Sequence, residues 1–132
     1  MTIANIANGQ IKRADLYGDW QTNNKDSLYY KSDTIEFIQD INHFYNAHTC
    51  DLVILRISES DFKFINSFIC IEPGRESWTN GEQSIEVKKI NGKQIIEIKM
   101  SNMTERFDIL NYVKQNIERY PWDIKILKLR RL

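Results

Sequence analysis

Asn91-Gly92 stands between two runs that alternate apolar and polar residues, Ser84–Ile90 and Lys93–Met100. Both turn residues accept the positive φ of a type I′ turn, so the pair is a strong short-range signal for a β-hairpin. A two-residue turn matches Ile90 with Lys93 and thereby sets the whole register. Val87 then faces Ile96 and Ile85 faces Ile98 on one side of the ladder. The other side carries Glu86, Lys88, Ile90, Lys93, Ile95, Glu97 and Lys99.

The flanking segments read as helices and further strands. Asp33 and Glu36 have the spacing of a capping box, and Ile35, Ile38, Ile41, Phe44, Tyr45 and His48 follow at helical intervals. They predict a helix over residues 33–47. LVILRI at 52–57 is apolar without alternation and predicts a strand buried on both faces. A second apolar run at 61–71 pairs with it through a short Ser58-Glu59-Ser60 connection. Residues 72–82 are turn-rich and predict a loop. Asn102 and Glu105 again have capping-box spacing. Met103, Phe107, Leu110, Val113 and Ile117 then predict a second helix, stopped by Pro121. Residues 122–129 close the chain as a strand.

Residues 1–31 lack sustained periodicity and predict an irregular region with short extended pieces at 11–17 and 28–31. The expected fold is therefore α+β. It has a single mixed, largely antiparallel sheet of about five strands with two main helices, in the order α-β-β-β-β-α-β.

At 132 residues the chain has the length of one domain, 1–132. Its 18 basic and 18 acidic residues cancel, which argues against a polycation built to coat nucleic acid. The cancellation hides a polarity. Residues 1–86 carry 7 Lys/Arg against 13 Asp/Glu, whereas residues 87–132 carry 11 against 5. This division predicts an acidic and a basic surface on one small domain. The first twenty residues have no basic stretch followed by an apolar core, and no run approaches the roughly 18 apolar residues of a membrane span. Cys50 and Cys70 adjoin apolar strand-like runs and are expected as buried free thiols. The expected location is cytoplasmic, with no membrane association.

Chemistry-bearing motifs are sparse. Neither GxxxxGK[ST] nor GxGxxG occurs, and His43, His48 and Cys50 are spaced wrongly for one helical face, so neither a cofactor nor a metal site is expected. One polar cluster stands out. The hairpin register sets Glu86 opposite Glu97, with Lys99 two residues along the same face. Paired carboxylates beside a lysine are a combination that can hold Mg²⁺ and orient a water. Glu97-Ile98-Lys99 resembles the ExK half of the PD-(D/E)xK nucleases, and the expected helix and strand after it look similar to that family's order. The resemblance implies catalytic roles for Glu97 and Lys99. No Pro-Asp pair precedes them, so the acidic partner is Glu86 or Glu72.

A second group of residues has the chemistry of partner binding. Arg75, Glu76 and Trp78 lie in the expected loop, and Arg and Trp are enriched at interface hot spots. Trp20, Tyr29 and Tyr30 are interleaved with Asp15, Asp19 and Asp26, a mixture suited to a basic protein surface and less suited to phosphate. The sequence therefore favours a binding protein over an enzyme. Its concrete form is an immunity-type inhibitor of a bacterial toxin, plausibly a basic nuclease, with nucleic acid not expected as partner. The alternatives are a metal-dependent nuclease using Glu86, Glu97 and Lys99, and a homo-oligomeric module joined through an apolar sheet surface.

Overall fold

The computed structural model describes residues 2–5, 10–22, 29, 32–39, 51–68, 75–78, 81–101, 103–116 and 123–132. They form ten strands. These are β1 (Thr2–Asn5), β2 (Gly18–Thr22), β3 (Thr34–Gln39), β4 (Asp51–Ile57), β5 (Phe62–Phe68), β6 (Arg75–Trp78), β7 (Ser84–Ile90), β8 (Lys93–Met100), β9 (Met103–Asn116) and β10 (Asp123–Arg131). A single 3-10 turn, Arg13–Leu16, precedes β2. All ten strands belong to one antiparallel sheet in the order β6-β5-β4-β2-β3-β10-β9-β8-β7, with β1 paired to β9 beyond the end of β8. The α+β expectation is thus overturned: the described chain is nearly all β.

Both expected helices fail for identifiable reasons. Residues 34–39 form β3 because the sheet is apolar on both faces there. Ile35 and Phe37 enter the core, while Ile38 is buried on the opposite face. A strand buried on two sides shows apolar residues at offsets of both two and three, which imitates helical spacing. Residues 40–47 of that expected helix lie outside the described residues, as do Cys50, Cys70, His43 and His48.

The segment expected as the second helix is the 14-residue strand β9. Its ladder to β10 runs Tyr112↔Leu127 and Asn111↔Lys128, then jumps to Ile109↔Leu129. Leu110 is the extra residue of a β-bulge and is exposed. The bulge inverts the side-chain alternation, so Phe107 and Tyr112 both enter the core although they are five residues apart. Phe107, Leu110 and Val113 keep helical spacing in sequence but point three different ways.

The hairpin fits its expectation. β7 and β8 pair Ile90↔Lys93, Val87↔Ile96, Glu86↔Glu97 and Ile85↔Ile98. Asn91 and Gly92 have φ of 51° and 79°, as a type I′ turn requires. β4 and β5 pair across a tight connection in which Ser58 N–H donates to the Asp61 carbonyl at 3.0 Å. The turn-rich stretch contains a strand as well as a loop: Arg75–Trp78 pairs with β5 and forms one edge of the sheet.

Without a covering helix among the described residues, the sheet buries its inner face by curling on itself. One core holds Phe62 and Phe64 from one end, Ile85, Ile96 and Ile98 from the other, and Trp20, Phe37, Leu55, Phe107, Tyr112 and Leu129 between them. The two ends meet at a seam where Phe64 N–H donates to Gln83 Oε1 at 2.8 Å. Residues 11–17 stop one mouth of this curl. Ile11 exchanges two hydrogen bonds with the Gln94 side-chain amide, at 3.0 and 2.8 Å, and Leu16 is fully buried. The Leu16 carbonyl accepts from Trp20 Nε1 at 2.8 Å, and the Asp15 carbonyl accepts from the Tyr112 hydroxyl.

A second apolar row crosses the outer face. Cα pairing connects Ile65, Ile54, Gln21, Ile38, Ile126 and Val113 over six strands. All are buried except Ile126, which is partly so. Trp78 stands in register with Ile65 at the edge.

The bulge yields a paired test. Deleting Leu110 preserves the pairing of Tyr112 with Leu127 and of Phe107 with Arg131, so the variant should unfold cooperatively with a near-native far-ultraviolet spectrum. Inserting an alanine after Leu110 turns Tyr112 out of the core and should cost about 3 kcal/mol or more, the scale of a lost buried aromatic. Thermal melts of the two variants measure the difference.

Candidate functional site

The polar cluster read from the hairpin exists, with an additional member. On the outer face Glu97 has Glu86 opposite it on β7 and Arg106 opposite it on β9. Lys88 Nζ lies 2.8 Å from Glu97 Oε1 and 3.5 Å from Glu86 Oε2. Lys99 Nζ is 3.5 Å from Glu97 Oε1, and Arg106 Nε donates to Glu97 Oε2 at 2.8 Å. One carboxylate therefore serves three cations. Its side chain is 2% exposed, whereas those of Lys88, Lys99 and Arg106 are 38%, 52% and 56% exposed. Glu97 sits beneath a single layer of cationic side chains with water beyond.

Lys88 and Arg106, in that order, hold the Glu97 carboxyl down at about 2, well below its ordinary 4.5. Both of its oxygens are committed to cations. This arrangement neutralises charge, with Oε1 held between the Lys88 and Lys99 ammonium groups by charge and without an aligned hydrogen bond. The helix that the nuclease resemblance implies after Glu97-Ile98-Lys99 is the strand β9, so that part of the resemblance is not met. Among the described residues no group of three or more His, Cys, Asp or Glu is arranged to hold a metal ion.

The same layering recurs one step along. Asp108 pairs with Arg130 at 2.7 Å, the aspartate 13% and the arginine 52% exposed. At the end of β9 and β10, Glu105 lies under Arg131 and also accepts from the Tyr29 hydroxyl at 2.9 Å. Arg131 stacks over the Tyr29 and Phe107 rings, 5.0 and 5.2 Å from their centroids. Burial, followed by the Glu105 charge, pushes the Tyr29 hydroxyl far above the usual tyrosine range.

The expected partner-binding residues separate into distinct environments. Trp20 is fully buried, and Tyr29 packs against Phe37, Phe64 and Phe107, so both belong to the core and not to a surface. Asp19 is neutralised by Arg56 through hydrogen bonds of 3.0–3.2 Å. Asp15 is exposed on the 3-10 turn, where its carboxylate accepts from Lys12 N–H at 2.8 Å. Arg75, Glu76 and Trp78 are on the edge strand β6, and Asp26 and Tyr30 lie outside the described residues.

Sequence reasoning missed Arg13. Its guanidinium donates to the carbonyls of Ser58 and Glu59, to that of Asp61 at 3.1 Å and to that of Ile85 at 3.3 Å. It thus ties the β4–β5 turn to β7 across the seam. The residue lies in an expected extended piece with no patterned neighbours, so no sequence signal marked it. Beside it opens a cleft of about 650 Å³ lined by Asp61, Lys63, Glu82, Gln83, Lys99 and Ser101, among others.

Strands β7 to β10, which carry the described residues of the basic half, are contiguous in the sheet. No helix of the described residues is long and apolar enough to cross a membrane. No protein-family model matches the chain, and neither a curated protein nor a solved structure does.

Glu97 has a depressed carboxyl, so its stabilising contribution is complete above pH 4.5 and is lost as pH falls towards 2. Glu97→Gln should be less stable than the wild type at neutral pH, and the gap should close between pH 4.5 and 2 in denaturant titrations. Arg13→Ala should lower stability by about 2 kcal/mol, the value of hydrogen bonds from a charged donor. It should also raise amide exchange at Phe64 and Ile85 before the rest of the sheet opens.

Proposed function

We propose that this chain is a small cytoplasmic binding protein that neutralises a basic protein partner, in its most concrete form an immunity protein for a toxin domain. The observation that carries this reading is the rim around the seam. Asp15, Glu59, Asp61 and Glu82 are all exposed there. Arg13 bonds the carbonyls of Glu59 and Asp61 and sits two residues from Asp15, while Asp61 and Glu82 line the same cleft. Arg13 spends its donors on backbone carbonyls, while Asp15 accepts from Lys12 N–H and Asp61 from Phe62 N–H, which holds these exposed residues on a pre-formed scaffold. Rigid presentation lowers the cost of binding, and these exposed carboxylates, with Lys63 and Lys99 set among them in the cleft, offer paired contacts to a basic partner.

This reading moves the docking charges from Asp19, which Arg56 neutralises, to Glu59, Asp61 and Glu82. Asp15 remains part of it. The packed aromatic interior favours a surface role over a ligand held within the curled sheet.

The neighbouring genes are the first test: this reading expects one of them to encode a toxin domain, and that domain is the probe. Co-expression should protect the host from that domain. In stopped-flow association, Glu59→Lys with Glu82→Lys should lower the on-rate several-fold, and raising salt from 50 to 500 mM should do the same, because surface steering is screened beyond about 8 Å at physiological ionic strength. Absence of protection removes the neutralisation reading. Protection with an on-rate unchanged by salt and by both substitutions removes the rim as its docking surface.

A further inference from the structure

The outer face of β7, β8, β9 and β10 carries Lys88, Lys99, Arg106, Lys128 and Arg130 against Glu86, Glu97 and Asp108. Counted by formal charge the excess is small. Counted by depth it is not. Glu97 and Asp108 lie at the sheet surface with 2% and 13% of their side chains exposed, and their cations extend over them at 38–56%. Lys128 is exposed as well, with the partly buried Glu36 opposite it on β3. A ligand approaching this face meets five ammonium and guanidinium groups with one exposed carboxylate, Glu86, at the β7 edge, while Glu97 and Asp108 lie behind.

The carboxylates also set the cations' positions. Three cationic heads within 3.5 Å of one carboxylate would repel one another without it. Glu97 holds them together, and Asp108 fixes Arg130 one row away. The register joins these rows: Asp108 pairs with Ile95, two residues from Glu97, a step of about 7 Å along the strand. The result is a fixed array of positive heads in which part of the ordering cost of long side chains is already met by folding.

We infer that the outer face of β7–β10 docks the phosphodiester backbone of nucleic acid. Its chemistry separates that ligand from an acidic protein. Protein interfaces draw their affinity from desolvated apolar or aromatic anchors. The centre of this face has none to offer, since Ile95, the apolar residue between the charged rows, is 7% exposed; the exposed Ile90 and Leu110 stand apart, at the hairpin end and at the bulge. Cationic heads without an apolar centre suit phosphate, where counterion release supplies the affinity. Net charge over the whole chain argued against such a ligand, but neutrality of the whole chain does not describe this face. The inference stands apart from the proposed neutralising role, which uses the acidic rim.

Fluorescence anisotropy with labelled 20-mer single-stranded DNA, duplex DNA and single-stranded RNA tests it on the intact chain. At 50 mM salt the wild type should bind at least one of these. Log affinity should fall against log salt with a slope of about −3 to −3.5 for single strands and about −3.5 to −4.5 for duplex, as expected for four or five phosphate contacts. Lys99→Ala with Lys128→Ala should weaken binding roughly ten-fold or more and flatten the slope by about 1 to 2, whereas Lys12→Ala should change neither. Both substituted lysines are exposed, and a thermal melt checks that the variant keeps its fold. Failure of all three nucleic acids to bind at 50 mM salt would overturn the inference. So would binding that Lys99→Ala with Lys128→Ala leaves intact, or displacement of the nucleic acid by poly-glutamate at equal charge concentration, which would point to an acidic protein.

Discussion

The concave face of the sheet has to be dry, and that requirement organises the molecule. Among the described residues no helix lies across it. The alternative is curvature: strands from the two ends of the sheet bring Phe62, Phe64, Ile85, Ile96 and Ile98 into one core. Curling creates two further problems, a seam between β5 and β7 and an open mouth. Residues 11–17 answer both. Leu16 and Ile11 fill the mouth with apolar volume, and Arg13 spans the seam with a guanidinium fork that satisfies carbonyls on both sides. Gln83 and Gln94 do the same work with amides, each standing in for a strand partner that the sheet lacks at that point. Closure by side chains is less cooperative than a continuous ladder, so the seam is the place where local opening should begin.

Curvature also needs strands that bend. The bulge at Leu110 lies in the longest strand, the one that pairs with β8, β10 and β1 at different points along its length. An extra residue increases local twist and lets one strand serve two directions of the sheet. Gly18 marks another tight place. Its φ is +121°, and a Cβ there would fall 2.1 Å from the Gln39 amide nitrogen, which donates to the Tyr17 carbonyl. β2 therefore enters the sheet through a conformation that only glycine adopts without strain.

How much of this could be read from the residues depends on which periodicity each segment obeys. The β7–β8 hairpin was legible down to individual pairs, because a type I′ turn and an alternating pattern over-determine the register. β4 and β5 were legible from apolar runs and a short connection. β3 and β9 were not. In β3 two buried faces superimpose, and in β9 a bulge inserts a phase shift; each converts a period of two into offsets of three and four. The candidate site inherited the same limits. Glu86 opposite Glu97 followed from the hairpin, but Arg106 did not, because its strand read as a helix. Trp20 and Tyr29 looked like surface aromatics among aspartates, yet their rings are core. Local polarity says little about a side chain when alternate residues point to opposite sides.

Burial depth decides what a face of mixed charge presents to its surroundings. Asp and Glu have short side chains, whereas Lys and Arg have long ones that reach over their neighbours. On a flat ladder with both signs in adjacent rows, carboxylates therefore settle near the backbone and cations form the outer surface. Glu97 under Lys88, Lys99 and Arg106, and Asp108 under Arg130, are instances of this geometry. Around the seam the order is reversed. Arg13 is drawn inward to backbone carbonyls, and the carboxylates of Glu59, Asp61 and Glu82 remain outside. Lys99, which both pairs with Glu97 and lines the seam cleft with Asp61, Lys63 and Glu82, stands where the two arrangements meet. The sign of each surface is set by which partner, backbone or side chain, claims the cation.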